Sequence, residues 1–175
     1  MKQLSTIILL LIVSISCKEK GVHKSTNDTH ETAGPKVTNT VTKTDRHVKI
    51  PNSSLYIIPP AGFAVEETSA TLTETDGTAY YMQMQILSGE TKQSLFAKFK
   101  SEADKNFPGS WKEEAITVNG HTATIYHSKN TAFNQYYLAF TDGYTDEMII
   151  ANYEEKEAAT GKEMYEALKT VVVKK

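Results

Sequence analysis

The stretch EEAITVNGHTATIYH, residues 113–127, reads as two strands folded back on each other. Asn119-Gly120 separates two β-prone runs, and a two-residue type I′ turn needs positive φ at both central positions, which Asn and Gly tolerate best. Such a turn sets Val118 opposite His121 and Ile116 opposite Ala123 on one face, with Thr117, Thr122 and Thr124 on the other. The same signature recurs on either side: Asp76-Gly77 stands between SATLTET and TAYYMQMQIL, and Asp142-Gly143 between FNQYYLAFT and YTDEMIIANY. In the first of these pairs Tyr80, Met82, Met84 and Ile86 alternate with Tyr81, Gln83 and Gln85, the pattern of a sheet with one buried side. The Asp142-Gly143 pair is the most apolar, which places it centrally. Upstream, SLYIIPPAGFAVEE gives two short strands broken at Pro59-Pro60 and Gly62.

Two amphipathic segments interrupt the strands. Residues 91–106 start at Thr91, a good N-cap, carry Leu95, Phe96, Phe99 and Ala103 in one stripe at helical spacing, and stop at Pro108-Gly109. A last helix begins near Thr160, where Thr160 and Glu163 match a capping box, with Met164, Leu168 and Val171 or Val172 along one face. Each apolar stripe needs a sheet face to cover. The fold class is therefore α+β: an antiparallel sheet of about six to eight strands sandwiched by helices. A domain of about 130 residues hides roughly two thirds of its unfolded surface, so it needs neither a metal nor a disulfide. The single cysteine forbids an internal disulfide in any case.

That cysteine sits at the end of an N-terminal apolar run. Lys2 gives the chain a positive start, and residues 4–15 are almost unbroken in hydrophobicity. The run is shorter than the roughly 20 residues that span a bilayer, and it ends in small residues, as a secretory signal does. SISC, residues 14–17, resembles the lipobox of bacterial lipoproteins, with Ser16 before the cysteine and Ser14 where the motif usually carries Leu. The resemblance implies a signal peptide over residues 1–16, cleavage before Cys17, a diacylglyceryl thioether on its sulfur and palmitate-type acylation of the new amine. Acyl chains contribute ~0.8 kcal/mol per buried methylene, so several of them anchor a protein durably. The alternative is an ordinary secretory signal with an incidental cysteine. Lys18, in place of the Asp that retains lipoproteins in the inner membrane, implies the outer membrane of a Gram-negative bacterium, on the periplasmic face or the cell surface.

Residues 17–46 read as the lipidated Cys17 followed by a flexible tether. From residue 18 on there is no aromatic residue and no Leu, Ile or Met, and seven threonines lie between Thr26 and Thr44. Such a segment buries too little apolar surface to offset its ordering entropy. As a coil it reaches roughly 30 Å. His23 and His30 are isolated on it and read as solvated polar residues, not metal ligands. Residues 47–175 form the globular domain, with twelve lysines against seventeen acidic residues, a charge near −5. That balance points away from nucleic acid, and a single arginine, Arg46, nearly excludes bidentate clamps for phosphate.

The element order, with LYIIPPAGFAV at its head, resembles the PsbP-like family. There a strand, a Pro-Gly-aromatic turn and a second strand precede an antiparallel sheet sandwiched by helices. The resemblance implies an accessory or assembly role, without enzymatic activity.

The residues of the domain do not assemble a known catalytic motif: HExxH, CxxC, GxSxG and the phosphate loop are all missing from the sequence. His121 and His127 share a strand face, but at ~3.3 Å per residue they stand about 20 Å apart, too far to share a metal. Glu114 falls opposite Ile125 and diagonal to His127, so a mixed His/Glu site is conceivable beside the ordinary reading as polar strand ends. The acidic run EEKE, residues 154–157, lacks the spacing and glycine turn of a calcium loop and reads as a solvated helix start. Tyr81 and Tyr137 are either core residues or, if one sheet face stays uncovered, the lining of a partner-binding groove. Trp111 is either a packing residue at a strand start or a stacking platform.

These readings converge on a lipid-anchored envelope lipoprotein. Its non-enzymatic domain recognises a protein partner or a small ligand, without a cofactor and without nucleic acid. The alternative is a hydrolase with a cryptic site built on His121 or His127 beside a hydroxyl. A third reading is a blocker of a basic secreted enzyme or toxin, suited by its acidic charge.

Overall fold

A computed structural model describes residues 41–75 and 81–173. The expected signal peptide, Cys17, the expected tether as far as residue 40, Tyr80 and the Asp76-Gly77 turn lie outside the described residues. Among the described residues are ten strands and two α-helices. The order is β1 (Val48–Lys49), β2 (Leu55–Ile57), β3 (Phe63–Glu66), β4 (Thr71–Glu74), β5 (Tyr81–Ile86), α1 (Lys92–Asn106), β6 (Lys112–Val118), β7 (His121–Lys129), β8 (Asn134–Phe140), β9 (Glu147–Tyr153), a 3-10 turn (Glu155–Glu157), α2 (Ala158–Leu168) and β10 (Val172–Val173).

Seven strands form one sheet in the order β3-β4-β5-β9-β8-β7-β6, antiparallel at every step. The apolar pair β8 and β9 is central, and the fold class is the expected α+β one, a sheet with a helix on each face. On one face Ile116, Ala123, Ile125, Leu138, Phe140 and Ile149 pack with Met164, Ala167 and Leu168 of α2. On the other, Tyr126, Tyr137, Ala139 and Met148 pack with Phe96 and Ala103 of α1 and with Trp111. Phe96 anchors the α1 side: its ring lies 3.9 Å from that of Tyr126, stacked, and 5.8 Å from that of Tyr137, edge-on. Thr91 caps α1 as expected, its Oγ1 accepting from Ser94 N at 3.2 Å.

The β6–β7 hairpin has the expected register, Val118↔His121, with φ of 49° at Asn119 and 91° at Gly120. The other two pairs differ. A two-residue loop at Asp76-Gly77 sets Thr73 opposite Tyr80; the observed partner of Thr73 is Tyr81. Between β8 and β9 a two-residue loop sets Ala139 opposite Asp146; the observed partner is Met148. The reason is that Asp142 is engaged elsewhere. Its Oδ1 accepts from Tyr144 N at 3.0 Å, and its Oδ2 accepts from Thr122 N at 3.0 Å on the neighbouring hairpin. Lys92 of α1 then secures the longer loop, donating to Phe140 O at 3.0 Å and to Thr145 O, with Asp146 3.4 Å away.

A second, three-stranded sheet, β1-β2-β10, was not foreseen. Val171 and Val172, expected on the last helix, lie beyond it, and Val172 begins β10 opposite Tyr56. The helix stops because Thr170 takes over its carbonyls: Thr170 Oγ1 donates to Ala167 O at 2.7 Å and accepts from Ile58 N at 2.9 Å. β-branched valines then favour a strand. The start of α2 is also corrected. The helix begins at Ala158 with Glu157 as N-cap, led in by the 3-10 turn, and Thr160 lies inside it. His47 closes the domain's entrance. Its Nδ1 accepts from Thr44 N at 3.0 Å, so the proton is on Nε2, which donates to Thr170 O at 3.0 Å.

Candidate functional site

Along β7 the α2-facing side changes character. Ala123 and Ile125 are buried aliphatics, whereas the next residue on that face is His127. Cross-strand register sets Lys112, His127 and Tyr136 in one row and Glu114 opposite Ile125 in the next. Tyr153, also turned to the α2 side, follows from β9, and α2 contributes Tyr165. Lys112, Glu114, His127, Tyr136 and Tyr165, with Glu113 at the rim, line a cleft of about 460 Å³ floored by Ile125; Tyr153 adjoins it, stacked on Tyr136. Strand parity alone therefore assembles the sheet half of the site, and the placement of α2 closes it.

Aromatic rings make the walls. His127 stacks on Tyr136 at 4.8 Å between centroids, and Tyr136 stacks on Tyr153 at 5.5 Å. Tyr165 meets Tyr136 at 5.4 Å and 40°, forming a corner. Tyr153 Oη donates to Tyr136 Oη at 3.4 Å and lies 3.4 Å from His127 Nε2. Tyr165 Oη donates to Glu114 Oε2. Gly161 makes this packing possible, because a Cβ there would fall 2.3 Å from Tyr153 Cε2; the helix backbone rests on the ring.

Electrostatics keep most of these groups neutral. Burial, then the positive charge of Lys112, lowers the His127 pKa below its ordinary 6.5. Burial, then the hydrogen bond with Tyr136, raises Tyr153. Burial, then the bond to Glu114, raises Tyr165. At neutral pH the His127 imidazole and the Tyr153 and Tyr165 phenols are therefore uncharged; half-buried Glu114 lies beside them, with exposed Lys112 and Glu113 at the mouth. Glu113 is engaged by Trp111, whose Nε1 donates to Glu113 Oε1 at 2.7 Å. The hydroxyl beside His127 is thus a stacked phenol, a weak nucleophile. His121, at the far end of β7, pairs with Asp142 Oδ2 at 3.1 Å.

The other residues singled out from the sequence fall as follows. Tyr81 and Tyr137 share a sheet face; α1 packs over Tyr137, which lines a depression of about 230 Å³ beside that helix that Tyr81 does not reach. Tyr137 is 5% exposed and its hydroxyl donates to Gln135 Oε1 at 2.8 Å, while burial pushes its pKa up to about 12. Tyr81 is 37% exposed. Trp111 is buried among Phe96 and Tyr126, a packing residue with no free face for stacking. In the EEKE run, Glu154 pairs with Lys156 at 2.9 Å and Glu155 with Lys129 at 2.8 Å. Among the described residues no three His, Cys, Asp or Glu side chains come together to hold a metal, and no helix is long and apolar enough to cross a membrane.

Two larger depressions, about 490 Å³ beside Pro59-Pro60 and α2 and about 690 Å³ beside Phe63 and Val65, are lined mainly by aliphatic, proline and scattered charged side chains, with Phe63 as their one aromatic residue. The His127 cleft differs from them in joining aromatic faces, an imidazole and a carboxylate. Compared with protein-family models, with curated proteins and with solved structures, this chain matches none of them.

Proposed function

We propose that this chain is a lipid-anchored lipoprotein of the bacterial envelope, carried by acyl chains on Cys17. Its non-enzymatic domain binds a small ligand in the cleft between α2 and strands β6–β8. The cleft carries the reading. At about 460 Å³ it has the size of small-molecule sites, and it combines apolar walls with a few polar groups, as such sites do. The lipobox, the tether and the PsbP-like order of elements support an accessory protein held at the outer membrane. The test is a solution spectrum of the protein with 13C-labelled tyrosine and histidine, titrated with a panel of small amines, alcohols, acids and sugars. The Tyr136, Tyr165 and His127 signals are expected to move together for at least one class. A panel that leaves all three in place overturns the cleft as a ligand site.

One observation favours the hydrolase reading as a second candidate: His127 Nε2 lies 3.4 Å from the Tyr153 hydroxyl, with Glu114 in the same cleft. Turnover of an activated ester that disappears in His127→Ala and in Tyr153→Phe supports that reading over the carrier.

A further inference from the structure

The reading of the cleft as a ligand site leads one step further, to the chemistry of what fills it. We propose that the cleft receives an organic cation, an ammonium group on a flat apolar body, held by the rings of Tyr136 and Tyr165 with Glu114 as counter-charge.

Four observations carry this. The first is which hydrogen-bonding groups are already spent. Tyr165 gives its proton to Glu114, so of the two phenols lining the cleft only Tyr136 has a proton left for a ligand. Around Glu114 the cleft offers acceptor character, the ring faces and the second carboxylate oxygen, while its remaining donors are the Tyr136 hydroxyl, the His127 imidazole and Lys112 at the mouth. The second is geometry. Tyr136 and Tyr165 meet at 40° with centroids 5.4 Å apart, a corner in which one cation faces two negative ring surfaces. The ring of Tyr165 already accepts an ammonium of this chain, Lys169 Nζ at 4.8 Å from its centroid. The third is the buried Ile125 floor, which suits an apolar body and denies hydration to a doubly charged ligand. The fourth is the field of the whole domain. Twelve lysines stand against seventeen acids in residues 47–175, which draws cations toward it.

Lys112 works against this ligand. It is exposed at the mouth, so its long side chain can swing into solvent, and removing its charge is expected to improve binding. An anion, by contrast, meets Lys112 outside but Glu114 inside.

The experiment is calorimetric titration of the full chain at neutral pH with benzyltrimethylammonium, benzyl alcohol and benzoate. The cation is expected to bind tightest. Glu114→Gln is expected to weaken the cation by about tenfold and leave the alcohol unchanged, whereas Lys112→Gln tightens the cation several-fold. Alcohol or benzoate binding as tightly as the cation, or a cation affinity unmoved in both Glu114→Gln and Lys112→Gln, overturns the proposal while leaving the cleft a ligand site. Failure of all three compounds to bind, with no class in the wider panel moving the cleft signals, removes the site itself.

Discussion

His127 is a half-buried imidazole faced by Lys112 and Glu114 from β6, Tyr136 from β8, Tyr153 from β9 and Tyr165 from α2. Because burial and Lys112 hold its pKa down, the unfolded chain takes up this proton near 6.5 and the folded chain only at lower pH. Between those two values the unfolded state binds more protons, so stability falls as pH drops below about 6.5 and stops falling, for this group, once the folded pKa is passed. Urea unfolding followed between pH 7.5 and 5 is expected to show that slope, and His127→Gln to flatten it. Gly161 makes a second test at the same scale. Alanine gains about 1 kcal/mol of helix propensity over glycine. Here, however, its Cβ would sit 2.3 Å from Tyr153, and overpacking of that kind costs about 1–3 kcal/mol. Gly161→Ala is expected to lower the urea midpoint in the parent and to raise it once Tyr153→Leu has cleared the space. The role of Gly161 was not legible in the sequence, because only the approach of α2 to β9 creates it. The Glu114–His127 diagonal was legible, from strand parity alone.

The helix α1 is an element whose limits could be read directly: Thr91 supplies the cap and Pro108-Gly109 the stop. Its grip on the sheet rests on Phe96, 5% exposed and stacked at 3.9 Å on Tyr126. Phe96→Ala is expected to cost about 3–5 kcal/mol, measured by chemical unfolding. Trp111→Phe is expected to cost less, because it keeps most of the ring contact and releases only the Glu113 bond. The hairpin at Asn119-Gly120 was legible because both residues take the positive φ that a two-residue turn requires, even though Asn119 Oδ1 also accepts from Val173 N at 2.9 Å. The Asp142 loop was misread because the same Asx-Gly letters answer to a distant strand: the carboxylate of Asp142 binds Thr122 N, which no local pattern records. β10 escaped notice for a different reason. A two-residue strand has no period to detect, and Val171-Val172-Val173 continues the apolar face of α2 as readily as it begins an extended segment.

At the scale of the whole molecule, residues 47–175 carry an acidic excess, and the proposed lipid anchor and tether precede them in the sequence. Expression with labelled palmitate is expected to mark the parent chain in the membrane fraction. Cys17→Ser is expected to abolish the label and release the domain, and equal labelling of both rejects the anchor. The sandwich architecture was legible because two amphipathic helices and three strand pairs leave few ways to bury their faces. The cleft was legible only in part, because Tyr165 joins it through the position of α2. The three-stranded sheet has one more consequence. Its middle strand, β2, lies between a neighbour seven residues away and another near the far end of the chain, and His47 waits for Thr170, 123 residues later. A chain made from its N-terminus presents His47 long before Thr170. The bond between them therefore cannot close until residue 170 is available, so this corner of the domain depends on the arrival of nearly the whole chain.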